Sequence, residues 1–217
     1  MLLYNFEGPK GTGKSTLSKL LANYHEVHDK VPVEIRHFDS DNIVGYKDLL
    51  DAQDAPYNLI FDRGLLSYQL YDWLWNNGLS ECVEKDYLGL SVSLKQPVNK
   101  NHFDTLMNEI RYKYVILYSS NPDLLETRIE NRRQESGKGM TPLEKQTLRE
   151  SNAYYQAMGE FLKYLYPDKV LLIDIVDEQT PEELMEYILH KSWWWVNERK
   201  TKINWKRKRT TVQRKDG

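Results

Sequence analysis

One short segment near the N-terminus constrains this chain more than any other: Gly8-Pro9-Lys10-Gly11-Thr12-Gly13-Lys14-Ser15, which fits the pattern G-x-x-x-x-G-K-[ST]. An apolar run, Leu2 to Glu7, precedes it. Ser15 to Tyr24 follows with Leu17, Leu20, Leu21 and Tyr24 at helical spacing. The order is therefore strand, glycine-rich turn, helix. In such a turn the glycines let backbone N–H groups face inward around phosphate oxygens, and the helix that follows adds its positive end. Lys14 is placed to reach β and γ phosphates, and Ser15 offers a hydroxyl to Mg²⁺. Gly8, Gly11, Thr12, Gly13, Lys14, Ser15 and Thr16 are the candidate nucleotide-binding residues. A chance match in a chain this long has a probability on the order of one per cent.

The rest of the chain repeats the strand and helix alternation. Val31 to Phe38 reads as a second strand, and Asp39-Ser-Asp-Asn42 supplies turn and cap chemistry for a helix to about Leu50. Tyr57 to Phe61 reads as a third strand, and Leu65 to Trp75 has a helical apolar face ending before Asn77-Gly78. Helix interrupted near Pro97 is expected between Ser80 and Arg111. Tyr114 to Tyr118 is the fourth strand. Ser119-Ser-Asn-Pro-Asp123 then opens a helix to about Arg133, which Gly137-Lys-Gly139 breaks. A long helix from Pro142 to about Tyr166, a fifth strand from Val170 to Ile175 and a helix from Thr180 to about Lys191 complete the pattern. Five strands alternating with helices predict a parallel α/β sheet. The chain has 217 residues, the size of one such domain with a sizeable core.

Composition narrows the setting. No apolar run approaches the eighteen or more residues of a membrane span, and no basic leader precedes the first strand. Cys82 is the single cysteine, so an intrachain disulfide is excluded and a reducing, cytoplasmic compartment is expected. The net charge of -2 averages two unlike parts. From Lys191 to Gly217 there are ten basic residues against Glu198 and Asp216, a balance of +8, which leaves residues 1 to 190 at -10. That basic tail also holds Trp193, Trp194, Trp195 and Trp205, four of the six tryptophans. Interleaved cations and rings suit single-stranded nucleic acid, through counterion release and base stacking. They also suit a membrane interface, or tryptophans that pack on the domain ahead of a solvated tail. The division expected is a P-loop nucleotide-binding domain over 1–190 and a tail over 191–217.

Two further clusters accompany the phosphate loop. Asp62-Arg63 closes the third strand, at the sheet edge where ligands of parallel α/β proteins bind. Asp62 there can hold a metal or orient an acceptor, and Arg63 can grip a second phosphate bidentately. Arg128, Arg132 and Arg133 lie on the helix after the fourth strand, and positions 128 and 132 share a face. Mobile arginines that close on a migrating phosphoryl group contribute roughly 10³ to 10⁵ in rate, and the glycines at 137 and 139 supply hinges for such a lid, over about 132–141. As the bland alternatives, Asp62-Arg63 is a solvated turn and the arginines a solvated face.

These residues together resemble a known family. Phe6-Glu7-Gly8 through Thr16 is similar to the phosphate loop of thymidylate kinases, and Asp62-Arg63-Gly64-Leu65-Leu66-Ser67-Tyr68-Gln69-Leu70-Tyr71 to their Asp-Arg motif with its following Ser and Tyr. Arg128, Arg132 and Arg133, then Glu150-Ser-Asn-Ala-Tyr-Tyr155, resemble the lid and the helix after it. The resemblance runs from residue 1 to about 190. It implies a P-loop three-layer α/β/α sandwich with strand order 2-3-1-4-5, ATP and Mg²⁺ as cofactors, and transfer of the γ-phosphoryl group to a pyrimidine deoxynucleoside monophosphate. By position, Lys14 neutralises the transferring phosphate, Ser15 and Asp62 hold the metal, Arg63 binds the acceptor phosphate, and Arg128 and Arg132 act at the lid and ATP. Arg36, Asp39, Ser67 and Tyr71 fall on the acceptor side. Relatives of this kind dimerise through helices flanking the sheet, so a homodimer is implied as well.

The chain departs from that family at Lys10, where an acid is usual, and after strand two, where Arg36-His37-Phe38 is followed by Asp39 and Asp41. Deoxynucleoside kinases on the same fold place a carboxylate base there. A monophosphate acceptor, its second pKa about 6, is already ionised near neutrality and needs positioning more than a base. A hydroxyl acceptor must lose a proton, and Asp39 or Asp41 is then the base; otherwise the pair caps the next helix. The sequence thus leaves open a dTMP-type kinase, a kinase of a nucleoside or DNA hydroxyl, and an ATP-binding regulator with little turnover.

Overall fold

In a strand, side chains alternate between the two faces, so a strand covered on both sides becomes apolar throughout. β1 (Leu3–Glu7), β3 (Asn58–Asp62) and β4 (Tyr112–Tyr118) meet that condition, being buried along almost their whole length. The structure is a computed structural model that describes residues 3–37, 57–64, 66–67, 70, 108, 112–134, 139–177 and 179–191. The other strands are β2 (Val33–His37) and β5 (Val170–Asp174). The helices are α1 (Lys14–His28), α2 (Pro122–Gln134), α3 (Pro142–Leu165) and α4, residues 181–191.

All pairings are parallel, and the order is β2-β3-β1-β4-β5, as the resemblance implied. β1 thus lies at the centre, and the loop after it opens at the C-terminal edge between its neighbours. Tyr4 and Phe6 of β1 join Val115 and Leu117 of β4 on one face, where Leu17 and Leu21 of α1 and Leu184 and Ile188 of α4 cover them. Leu3, Tyr112, Tyr114 and Ile116 lie on the other, beneath Tyr154, Tyr155, Met158 and Leu162 of α3. Helices on both faces make three layers.

The expected elements recur with shifted ends. β2 starts at Val33 because Pro32 has no N–H to donate, although its carbonyl still accepts from Asn58 N at 3.0 Å. β4 starts two residues early, with Lys113 in the strand: its Nζ reaches the Asp168 carbonyl at 3.1 Å. α1 runs four residues beyond Tyr24 to His28. Of the helix expected over 65–75, residues 66, 67 and 70 are described, and they are helical. The helices expected over 39–50 and across 80–111, apart from helical residue 108, lie outside the described residues, as does the tail beyond Lys191.

Candidate active site

The turn after β1 needs backbone that only glycine adopts easily. Gly8, Gly11 and Gly13 all have positive φ, at 144°, 88° and 83°. A Cβ on Gly8 would sit 2.4 Å from the Leu117 carbonyl oxygen, so the loop can run this close to β4 only without a side chain. Thr12 is buried, and its hydroxyl donates to the Pro9 carbonyl at 2.9 Å; it braces the loop from within. Lys14 opens α1 almost fully buried, with Nζ donating to the Gly8 and Pro9 carbonyls at 2.6 and 2.8 Å. Burial pulls its ammonium down to about 8, a fall that Asp62 opposes and Arg63 reinforces.

Across the loop, Asp62 ends β3. Ser15 Oγ donates to Asp62 Oδ2 at 2.5 Å, and His37 Nδ1 lies 3.0 Å from the same oxygen. His37 and Asp62 are register partners at the ends of adjacent strands, which is why residues 25 apart in sequence meet. Asp62 Oδ1 is buried and has no hydrogen-bond partner. A hydroxyl and a carboxylate with an unused oxygen form a hard-oxygen donor pair. That suits Mg²⁺, which binds through one or two protein oxygens together with phosphates.

These groups line one cavity of about 370 Å³, together with Lys10, Gly11, Gly13, Thr16, Arg63, Ile129, Arg132 and Arg133. Lys10, at the position of the expected acid, therefore adds a cation to the wall. Arg132 and Arg133 enter with Ile129 because positions i, i+3 and i+4 share a helix face. Arg128 is on the flank of that face. Its Nη2 donates to the Val176 carbonyl at 3.4 Å, and it is not part of the cavity wall. Arg133 also donates to Glu144 Oε1 at 2.8 Å, which ties α2 to the first turn of α3 across the expected lid. Of the lid's interior, residues 135–138 lie outside the described residues.

Two acceptor-side expectations are placed away from the cavity. Arg36 donates through Nε to Glu34 Oε1 at 2.7 Å, on its own strand. Ser67 is buried, with its hydroxyl bonded to the Glu7 carboxylate and to Tyr155 OH, so its polar atom faces the core. Asp39 and Tyr71 lie outside the described residues.

Sequence reading passed over Glu7 and His37. Glu7 is fully buried on the α3 face, and burial raises its carboxyl above the ordinary range against the opposing pull of Ser67 and Tyr114. The available signal was periodicity: Asn5 and Glu7 share the face of Leu3 in a strand that is otherwise apolar. His37 had no such signal, since only sheet order brings it to Asp62.

The phosphate loop after the central strand, the order β2-β3-β1-β4-β5 and helices on both faces define the architecture. The fold is a P-loop three-layer α/β/α sandwich. No protein-family model matches the sequence, and no curated protein matches it. Among solved structures the chain is similar to deoxyadenosine kinase from M. mycoides with bound dATP, at 17% identity and a TM-score of 0.49, over 88% of this chain and 98% of that one. It is similar also to shikimate kinase from Acinetobacter baumannii in complex with shikimate, at 14% identity and a TM-score of 0.43, over 87% of this chain and 91% of that one.

Proposed function

We propose that this P-loop protein is an ATP-dependent phosphotransferase, moving the γ-phosphoryl group of ATP to a pyrimidine deoxynucleoside monophosphate such as dTMP. The observation that carries the reading is the convergence of Lys14, Ser15, Asp62, Arg63, Arg132 and Arg133 on one cavity at the C-terminal edge of the sheet. Two of these cations come from α2, opposite the phosphate loop. A protein that only bound nucleotide would gain little from arginines on the far side of the phosphates, whereas phosphoryl transfer develops charge there.

The residues divide the work. Lys14 and the loop N–H groups hold the β and γ phosphates, and the α1 N-terminus adds its partial positive charge. Ser15 and Asp62 would hold Mg²⁺, which would supply charge neutralisation to the bound phosphates. Arg63, at the acceptor side of β3, pairs with the acceptor phosphate, and Arg132 and Arg133 stabilise the equatorial oxygens of the migrating group. Among the described residues Asp62 is the one carboxylate in the cavity wall, and it is engaged with Ser15 and His37. A wall so rich in cations suits an acceptor that arrives ionised and needs alignment rather than deprotonation.

Incubation with γ-labelled ATP and Mg²⁺ against a panel of deoxynucleoside monophosphates, deoxynucleosides and single-stranded DNA tests this. Label is expected on dTMP or a close analogue. Label confined to nucleosides or DNA would reassign the acceptor to a hydroxyl, and ATP binding without label anywhere would reassign the protein as a regulator.

A further inference from the structure

Glu7 ends β1, one residue before the phosphate loop, yet its side chain points to the opposite element of the site. Leu66 N and Ser67 N donate to its two carboxylate oxygens at 3.0 and 3.2 Å, Tyr114 OH donates at 2.9 Å, and the Ser67 hydroxyl adds a further short bond. Leu66 and Ser67 are helical and lie just after Asp62-Arg63-Gly64, Gly64 being outside the helix. Their N–H groups belong to the first turn, where a helix has no internal partners and a negative charge is favoured. In a dry core each of those donors would otherwise be left unpaired.

The turn thus held is strained. Arg63 has φ of 81°, a left-handed conformation that a residue with a Cβ rarely adopts. It persists because both sides are tied down. Arg63 N donates to the Phe6 carbonyl at 2.9 Å, which extends the β1 and β3 pairing past the strand end. Three and four residues on, Glu7 anchors the helix start. Between them Gly64 packs on Asn5 so closely that a Cβ would come within 2.3 Å of Asn5 Nδ2. Consecutive residues of β1, Asn5, Phe6 and Glu7, therefore dictate the path of the turn that presents Arg63 to the cavity.

We infer that Glu7 is a positioning residue, whose carboxylate clamps the helix after Arg63 and so holds Arg63 aimed at the phosphate cavity, coupling the nucleotide loop to the acceptor side. This rests on the reading above that Arg63 meets phosphate. Glu7 touches no substrate in this role. Its substitution acts chiefly through Arg63: Lys14 and Ser15 keep their own hydrogen-bond partners, and Glu7 reaches Lys14 only through a charge effect smaller than those of Asp62 and Arg63.

The test is steady-state kinetics of full-length protein with ATP, Mg²⁺ and whichever acceptor of the panel takes label, for wild type, Glu7→Gln, Arg63→Ala and the double variant. Glu7→Gln places an amide donor among four donors. It is expected to lower acceptor kcat/KM by about 10- to 100-fold, as for a small misplacement of a positioned group, and to change the KM for ATP far less. In the Arg63→Ala background the same substitution is expected to cost little, because the two losses are one. Tyr114→Phe and Ser67→Ala, each removing one bond to Glu7, are expected to show the same acceptor-specific pattern at smaller size and serve if Glu7→Gln does not fold. Equal losses toward ATP and acceptor, or additive effects of Glu7→Gln and Arg63→Ala, would overturn the inference, since a role in stability alone predicts both. Wild-type protein that labels no acceptor would overturn the function reading and this inference with it, whereas an active wild type with an unaltered Glu7→Gln overturns only this one.

Discussion

At the level of single residues, burial decides the behaviour of the charged groups. Lys14 is almost fully buried, which brings its ammonium down from 10.5 to about 8. The unfolded chain keeps that proton longer, so this residue's contribution to stability rises as pH climbs from about 8 toward 10.5. Nucleotide binding has the opposite sense, because phosphates favour the charged lysine. Affinity for ATP without metal is expected to fall as pH rises through about 8, with proton uptake on binding, and calorimetry in buffers of different ionisation enthalpy checks both. The glycines separate in the same way. Gly13→Ala meets no atom within 4 Å and is expected to cost only the left-handed conformation, roughly 1–2 kcal/mol. Gly8→Ala adds a collision with the Leu117 carbonyl and is expected to cost more. Urea unfolding of the two variants ranks them, and an equal cost would mean that the loop relaxes away from β4.

At the level of elements, ends are set by local chemistry and faces by packing. α3 starts where a capping box closes: Glu144 N donates to Thr141 Oγ1 at 3.2 Å and Thr141 N to Glu144 Oε2 at 2.8 Å. Thr141→Ala is expected to destabilise the fold by about 1 kcal/mol in thermal unfolding. Glu144 also receives Arg133, so the same substitution is expected to loosen that arginine and lower acceptor turnover modestly without changing ATP binding. The start of α3 was legible because Thr141, Pro142 and Glu144 are a local signature. The face of α2 was not, since spacing alone grouped Arg128 with Arg132. Which of the rows on a helix meets the cavity depends on how Ile129 packs under Leu125 and Leu148, and that set places 129, 132 and 133 inward. The surroundings of Ser67 were not legible for a similar reason. Its neighbours in sequence suggested the acceptor, and its neighbours in space are Glu7 and Tyr155.

At the level of the whole molecule, the opposed charges of body and tail raise a question of partners. No described helix is long and apolar enough to cross a membrane. Truncation after Lys191 is expected to leave transfer to a small acceptor unchanged, and to weaken single-stranded DNA binding with a shallower dependence on salt. Filter binding across a salt series measures this, and unchanged binding would assign the tail another role. The sequence by itself determined the alternation of strands and helices, the glycine loop with Lys14 and Ser15, and Asp62-Arg63 at a strand end. Each of these is a local pattern of spacing, side-chain volume or backbone freedom, readable without knowing what lies across the sheet. The tertiary structure alone decided that His37 reaches Asp62, that Arg132 and Arg133 rather than Arg128 face the phosphate loop, and that Glu7 is tied to the helix after Arg63. Those contacts join strands far apart in the chain, and their energies depend on strand order and on the exclusion of water, neither of which a local pattern encodes.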